Sequence, residues 1–419
     1  MTKVAVVLCA ACFALPAAWA EEAHFIFHSG STTPGAIRVG DDFAYAPDKG
    51  YGFEPAGAVV DSAAHCARPA SPTADPIIVP DHSARFSVAL PEGSYRVTLT
   101  FAKAPKGAIT AEAGRFILLP SASKQKLTKT QSFIIDVRHA ALPTLPLNAP
   151  GGIAVRLNPR ECGSYSWDGK LTLGFASDAA NIKTLDIVPV EVPRLFLMGD
   201  STVTDQPQPP YAGWGQMLPL FFGNGIAIAN HAESGETLKS FLSELRLDKV
   251  LSQAKTGDWA LLQFSHNDEK SQWPQTHEPA GTTFPLYLKV YIAELRRHGV
   301  NPVLVTPMQR LRFDTAGKII ETHGAYPDAI RAVAASENVP LIDLTAMSRT
   351  LFEALGPEKA RAAFAGNGAD ATHQSAYGAY ELARAVVESM RRQKLPITEH
   401  LKPGLAAFDP ATPDALIQP

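Results

Sequence analysis

The chain is poor in most features that announce a specialised class of protein. It has four cysteines in 419 residues, too few for a disulfide-built scaffold. Two of them, Cys9 and Cys12, fall in the first twenty residues. Past that stretch no run of about eighteen apolar residues occurs, so no membrane-spanning helix is expected in the mature chain. Basic charge is not in excess: 38 Lys and Arg stand against 41 Asp and Glu, a formal net charge of −3. No basic run interleaved with aromatics is present, which removes nucleic acid from the expected partners. Internal repeats and low-complexity tracts are absent too, so a stacked-repeat architecture is not expected.

What is present begins with an export pattern. In residues 1–20, Lys3 gives the positive start, residues 4–15 the apolar core and Ala18-Trp19-Ala20 the small-x-small cleavage site. Cleavage after Ala20 is expected to yield a secreted or periplasmic protein. Cys66 and Cys162 then remain, an even pair in an oxidising compartment. A disulfide between them is the first reading and two buried thiols the alternative. So wide a spacing makes no metal signature.

About 400 remaining residues exceed one ordinary core, so two domains are expected. Over 21–192 the grammar is β. Phe86, Val88 and Leu90 alternate with Ser87 and Ala89, then Pro91-Glu92-Gly93 turns the chain. Tyr95, Val97, Leu99 and Phe101 next alternate with Arg96, Thr98 and Thr100, a hairpin with one buried face. Further strand-like runs at 115–119, 132–137, 153–157, 170–175 and 182–190 favour an all-β sandwich or jelly roll. At Pro193 the grammar changes to strand, helix, strand, helix. Strands are read at 195–198, 226–229, 259–264, 303–306 and 341–344, with helical segments at 237–254, 285–298, 326–338 and 376–392. Such units over 193–395 imply an α/β three-layer sandwich with a five-stranded parallel sheet. Residues 396–419 read as a proline-rich tail.

Chemistry-bearing residues gather where these strands end, the edge at which open α/β sheets bind ligands. Gly199, Asp200 and Ser201 follow the first strand; Asn230 and Gly235 the second; His266, Asn267 and Asp268 the third. Asp370 and His373, three residues apart, follow the fifth unit. Serine, aspartate and histidine can build a nucleophile, an orienting acid and a base. Ser201 is not followed by the glycine of a G-x-S-x-G elbow, which speaks against an ordinary α/β-hydrolase. His231, His266 and His373 follow different strands without the short spacing of a zinc site. Asp200 with Asp370 would be a weak glycosidase pair beside an available serine and histidine.

As a set, GDSTV, NHAESG, HND and DATH resemble the motifs of the SGNH (GDSL-like) hydrolase superfamily, which implies a flavodoxin-like catalytic domain. PPYAGWGQMLPLFF, NHAESGETLKSF and HQSAYGA are similar to its rhamnogalacturonan acetylesterase branch. YGFEP and LPEGSYRVTL more loosely resemble the galactose-binding-like domain ahead of two-domain pectin acetylesterases. The resemblance implies Ser201 as nucleophile, His373 as base and Asp370 as its orienting partner. It implies an oxyanion hole from the Ser201 N–H, the Gly235 N–H and the Asn267 amide. The chain departs from the pattern at Ser265, where glycine is usual, and at Glu236-Thr237, where arginine and serine are frequent. Asn230, Asp200 and Asp205 are expected to order loops. Trp214 and His266 are candidate substrate-lining residues, a Trp214 buried between close-packing glycines being the other reading.

With that resemblance, the chain is expected to be an exported carbohydrate esterase that removes O-acetyl groups from plant polysaccharide or oligosaccharide. Pectic backbone such as rhamnogalacturonan is the first substrate, and no metal or organic cofactor is expected. An esterase on acetylated xylan, or on simple lipid or aryl esters, is the enzymatic alternative. A glycan-binding protein whose triad survives as scaffold is the alternative of another class. No membrane partner is expected after signal cleavage, and oligomeric state is not legible.

Overall fold

The structure is a computed structural model that describes residues 22–27, 34–40, 43–54, 84–122, 127–143, 152–176 and 181–415. The export pattern and Cys66 lie outside these residues. Cys162 is disulfide-bonded.

The alternation in the first part of the chain produces two antiparallel-dominated sheets. Their strands are β1 (Ala23–Ile26), β2 (Ile37–Arg38), β3 (Tyr51–Phe53), β4 (Ala84–Ala89), β5 (Gly93–Phe101), β6 (Ile109–Ala111), β7 (Arg115–Leu118), β8 (Thr130–Val137), β9 (Lys170–Phe175) and β10 (Ile182–Pro189). One sheet runs β2-β1-β10-β5-β8 and the other β3-β4-β9-β6-β7. β5 buries Tyr95, Val97, Leu99 and Phe101, the alternate residues read in the sequence. They share one core with Phe86, Val88, Leu171 and Leu173 of the other sheet, so the two sheets face each other across it. The run at 153–157 forms no strand, only an isolated bridge between Ala141 and Ala154. The Val155 N–H still donates to the Ala140 carbonyl at 2.8 Å, but the Arg156 N–H turns to the Glu244 carbonyl at 3.0 Å.

From Arg194 the chain builds a parallel sheet of β11 (Arg194–Gly199), β12 (Ala227–Asn230), β13 (Trp259–Gln263), β14 (Asn301–Val305) and β15 (Leu341–Ile342). Its order is β12-β11-β13-β14-β15, the flavodoxin-like arrangement, whose switch point lies between the first and third strands. Because side chains alternate across a strand, β11 sends Leu195 and Leu197 to one face and Phe196 and Met198 to the other. Phe196 and Met198 pack with the helices Leu238–Ser243, Arg246–Gln253, Thr283–Arg297 and Tyr326–Ser336. Leu195 and Leu197 pack with Trp214 and with the helices Leu344–Ala360 and Ala376–Arg392. The result is a three-layer α/β arrangement. Among the described residues no helix is long and apolar enough to cross a membrane.

The helices differ from the sequence reading at two places. The segment 237–254 is two helices, broken where Leu245 takes a left-handed backbone (φ 63°). The break turns Arg246 onto the Glu161 carboxylate, with contacts of 3.0 and 2.5 Å. The helix Leu344–Ala360 was not anticipated. Asp343 caps it by accepting the Ala346 N–H at 3.1 Å, and Gly356, non-helical at φ 74°, interrupts its pattern beside Pro357.

Candidate active site

β11 ends at Gly199 because nothing larger fits: a Cβ there would lie 2.6 Å from the Gln263 carbonyl oxygen and 2.7 Å from Val203 Cγ2. The following turn is held from within. The Asp200 carboxylate accepts the Thr202 N–H at 2.9 Å and the Thr202 hydroxyl at 2.8 Å, while its carbonyl accepts from Val203 and Thr204. This side-chain turn is what aspartate does well next to a strand end. Asp200 is thus structural, and burial raises its pKa against the opposing Thr202 bonds. Ser201 stands on the turn at the carboxyl edge of the sheet, only 7% exposed.

Ser201 Oγ lies 2.9 Å from His373 Nε2, and His373 Nδ1 lies 2.8 Å from Asp370 Oδ2. The other Asp370 oxygen accepts the backbone N–H groups of Thr372 and His373, at 2.7 and 2.9 Å. Burial pushes the Asp370 carboxyl up, but the His373 backbone N–H, its ring and the Thr372 N–H outweigh it. The net pKa falls below the usual value. An ionised Asp370 can only accept, so Nδ1 carries the imidazole proton and Nε2 is left to take one from Ser201.

Three loops converge on the other side of the serine. Gln206 Nε2 bridges the Ser201 carbonyl at 2.8 Å and the Ser234 hydroxyl at 3.3 Å. The Glu233 N–H donates to the Gly199 carbonyl at 3.1 Å. Gly235 adopts φ 87°, a left-handed backbone that favours glycine. Asn267 Nδ2 donates to the Glu236 carbonyl at 3.0 Å, and Lys270 Nζ donates to Asn267 Oδ1 at 2.8 Å. One Asn267 N–H is therefore spent on the loop and one remains. Among the described residues neither the Ser201 nor the Gly235 N–H has a protein acceptor. The arrangement has a hydroxyl with a hydrogen-bonded imidazole, and nearby donors with capacity to spare.

Behind Gly235 lies a buried acidic cluster. Arg246, fully buried, meets Glu161, Glu244 (3.0 Å) and Glu236 (3.4 Å). Glu233 is held by Arg160 Nε at 2.6 Å, and Arg160 Nη2 donates to the Ser234 carbonyl. One buried guanidinium cannot neutralise every carboxylate here. Burial works to raise the Glu161, Glu233 and Glu236 carboxyls, but Arg246 brings Glu161 below its usual value. Burial, with Arg246 opposing and Glu244 reinforcing, pushes Glu236 up to about 8. Burial and the Glu161 charge push Glu233 up to about 7. Glu236, noted as a departure, belongs to this cluster.

The two candidate lining residues sit elsewhere. Trp214 is fully buried in the core, its Nε1–H on Gln263 Oε1 at 2.8 Å. The flanking glycines pack closely, since a Cβ on Gly213 or Gly215 would meet backbone oxygen at 2.2 or 2.4 Å. His266 is also buried, edge-to-face with His323 at 4.5 Å between centroids, and burial lowers its pKa well below normal. Neither lines a substrate surface. Asn230 orders its loop by donating to Val203 and Asp205, and Asp205 is held by Arg115 Nη2 at 2.8 Å. Among the described residues no cluster of three or more His, Cys, Asp or Glu side chains could hold a metal ion. Gln206, Lys270 and Arg160 were not singled out in the sequence. Nearness in sequence to GDSTV for Gln206 and to HND for Lys270 is the local signal that could have pointed to them, and nothing local marks Arg160.

The GDSL-like lipase/acylhydrolase family matches residues 197–380. The chain is 40% identical over 221 residues to rhamnogalacturonan acetylesterase RhgT of Bacillus subtilis (strain 168), covering 50% of this chain and 94% of that protein. It is 28% identical over 403 residues to the uncharacterized esterase YxiM of the same organism, covering 94% and 98%. A crystal structure of YxiM aligns with 90% of this chain and 99% of its own, at 25% identity and a TM-score of 0.49. A serine, imidazole and carboxylate chained at the switch point of a parallel sheet thus have matching company in sequence, and the chain belongs to the GDSL-like lipase/acylhydrolase (SGNH) family of serine carboxylic ester hydrolases.

Proposed function

We propose that the protein is an exported acetylesterase that removes O-acetyl groups from a pectic polysaccharide, rhamnogalacturonan before others. The observation that carries the chemistry is the continuous Ser201–His373–Asp370 chain at 2.9 and 2.8 Å. The substrate reading is supported by the similarity to proteins named rhamnogalacturonan acetylesterase. Export is supported by the sequence pattern of residues 1–20, and a galactose-binding-like first domain over 21–192 by motif resemblance. The β strands there would hold the polymer or shape the cleft.

The reaction follows from the geometry. A serine hydroxyl is too weak an acid to attack an ester unaided, so His373 Nε2 takes its proton as Oγ bonds to the acetyl carbon. The carbonyl oxygen becomes an oxyanion, met by the Ser201 and Gly235 N–H groups and the spare Asn267 N–H. His373 returns the proton to the departing sugar oxygen. Water, deprotonated by the same nitrogen, then attacks the acetyl carbon, and acetate leaves as the proton returns from Nε2 to Ser201 Oγ. Asp370 stabilises the imidazolium formed in both halves.

Acetate release across acetylated rhamnogalacturonan, acetylated xylan and an aryl acetate tests the reading. The pectic polymer is expected to give the highest kcat/KM. A higher value on xylan, with none on the pectic polymer, would refute the substrate assignment.

A further inference from the structure

An open pocket of about 490 Å³ adjoins the triad, between Tyr211 and the segment 365–372 that carries Asp370. Ala365, Gly366 and Ala369 line it with small groups, which leaves room for a ring. Two of its other lining residues stand out. Tyr211 is 41% exposed, and with Trp273 it is one of two exposed aromatics among the described large hydrophobic residues. Its ring stands edge-on to the His373 imidazole, 5.8 Å between centroids at 86°. Arg312 is exposed, and no carboxylate or carbonyl of the described residues pairs with its guanidinium. Its neighbour Arg310, by contrast, is engaged by Glu269 at 2.5 Å and Thr322 at 3.0 Å.

Arg312 is not placed at random. The Leu311 N–H donates to the Ala371 carbonyl at 2.8 Å, which ties its chain to the residue after Asp370. Phe313 and Ile319 bridge to close the hairpin behind it. Asp370 also lines the pocket, but one oxygen takes two backbone N–H groups and the other the His373 ring. Its hydrogen bonds turn it to its own backbone and to His373, and it forms no ion pair with Arg312.

We infer that this pocket is a subsite for a uronic acid ring of the acetylated chain, with Tyr211 against the ring face and Arg312 on its carboxylate. A planar guanidinium matches a carboxylate in a paired, charge-assisted bond, and an exposed tyrosine ring offers an apolar face at low entropic cost. The inference rests on the acidic-polysaccharide reading and deepens it, since a neutral xylan chain has no use for Arg312.

The test need not use a polymer that turns over. Unacetylated oligogalacturonate and neutral xylo-oligosaccharide are each used to inhibit 4-nitrophenyl acetate hydrolysis by the full chain. Each Ki is read against the same variant's own uninhibited rate. Oligogalacturonate is expected to inhibit the wild type, with Ki raised about tenfold or more in Arg312→Gln and partly restored in Arg312→Lys. The xylo-oligosaccharide Ki is expected to be equal in all three. Rising salt should weaken oligogalacturonate in the wild type more than in Arg312→Gln. Equal oligogalacturonate Ki values in wild type and Arg312→Gln, or no inhibition of the wild type, would overturn the subsite. Arg312-dependent inhibition in an enzyme that releases no acetate from pectic polymer would leave the subsite standing and sink the substrate reading.

Discussion

Asn267 shows how one side chain is aimed by others. Lys270 on its carbonyl and the Glu236 carbonyl on its amide fix its orientation, so its second N–H would serve the proposed oxyanion without reorganisation. Losing such a donor typically costs about 3–4 kcal/mol. Asn267→Ala is therefore expected to lower kcat by about 10²–10³ with little change in KM, read from steady-state acetate release. Ser265 makes the opposite case. It is fully buried at φ 135°, and its hydroxyl has no partner among the described residues. Positive φ costs a non-glycine residue roughly 1–3 kcal/mol, and glycine returns part of that as unfolded-state entropy. Ser265→Gly should thus stabilise the fold by about 1 kcal/mol in a denaturant titration; a lower midpoint at unchanged slope would contradict this. The triad was legible because GDSTV, NHAESG, HND and DATH together put a serine, an amide, an acid and a base after successive units of one parallel sheet, a combination that turn formation alone does not require. Trp214 and Tyr211, three apart in AGWGQ's neighbourhood, were not: their exposure depends on Val203, Gln263 and His373, which no local pattern reveals.

Among the elements, the loop 233–236 takes part of its support from outside. Arg160 reaches it from the β region and holds both Glu233 and the Ser234 carbonyl, although the Arg160 side chain is 53% exposed. Arg160→Ala is expected to cost about tenfold in kcat, equivalent to about 1.4 kcal/mol, with thermal stability nearly unchanged. An unchanged kcat would show that the loop holds itself. The acids in this cluster also set a pH signature. Glu233 at about 7 and Glu236 at about 8 keep protons that an unfolded chain releases near pH ~4.3. The folded state binds the extra protons, so their contribution is full at low pH and is lost as pH climbs through that window. Asp370 acts oppositely: its lowered pKa helps at neutral pH and that help fades on acidification. Thermal melts from pH 5 to 9 should therefore decline less steeply in Glu236→Gln than in the wild type. The period-two hairpin and the strand ends announced their elements, whereas the break at Leu245 did not, because its cause is Glu161, 85 residues before Arg246.

For the whole molecule, the β region and the α/β region are locked by buried charge. Arg246 meets Glu161, Arg115 meets Asp205, Arg194 meets Asp136 and Lys249 meets Glu92, with at least one partner of each pair almost fully buried. Removing one member leaves the other charged and dry, which typically costs 3–5 kcal/mol, roughly. Arg246→Met is expected to destabilise by about that much and to lose activity with it; a melt like the wild type's would contradict the account. Sequence reading separated two grammars near Pro193 but could not foresee these pairs, because their members lie scores of residues apart and neither half looks incomplete. The central claim is acyl transfer through Ser201, and rapid-quench mass spectrometry with 4-nitrophenyl acetate addresses it most directly. One acetyl group is expected on the Ser201 peptide during turnover, and it should be absent in Ser201→Ala along with acetate release. Normal turnover with no acetyl on Ser201, or undiminished release by Ser201→Ala, would contradict it.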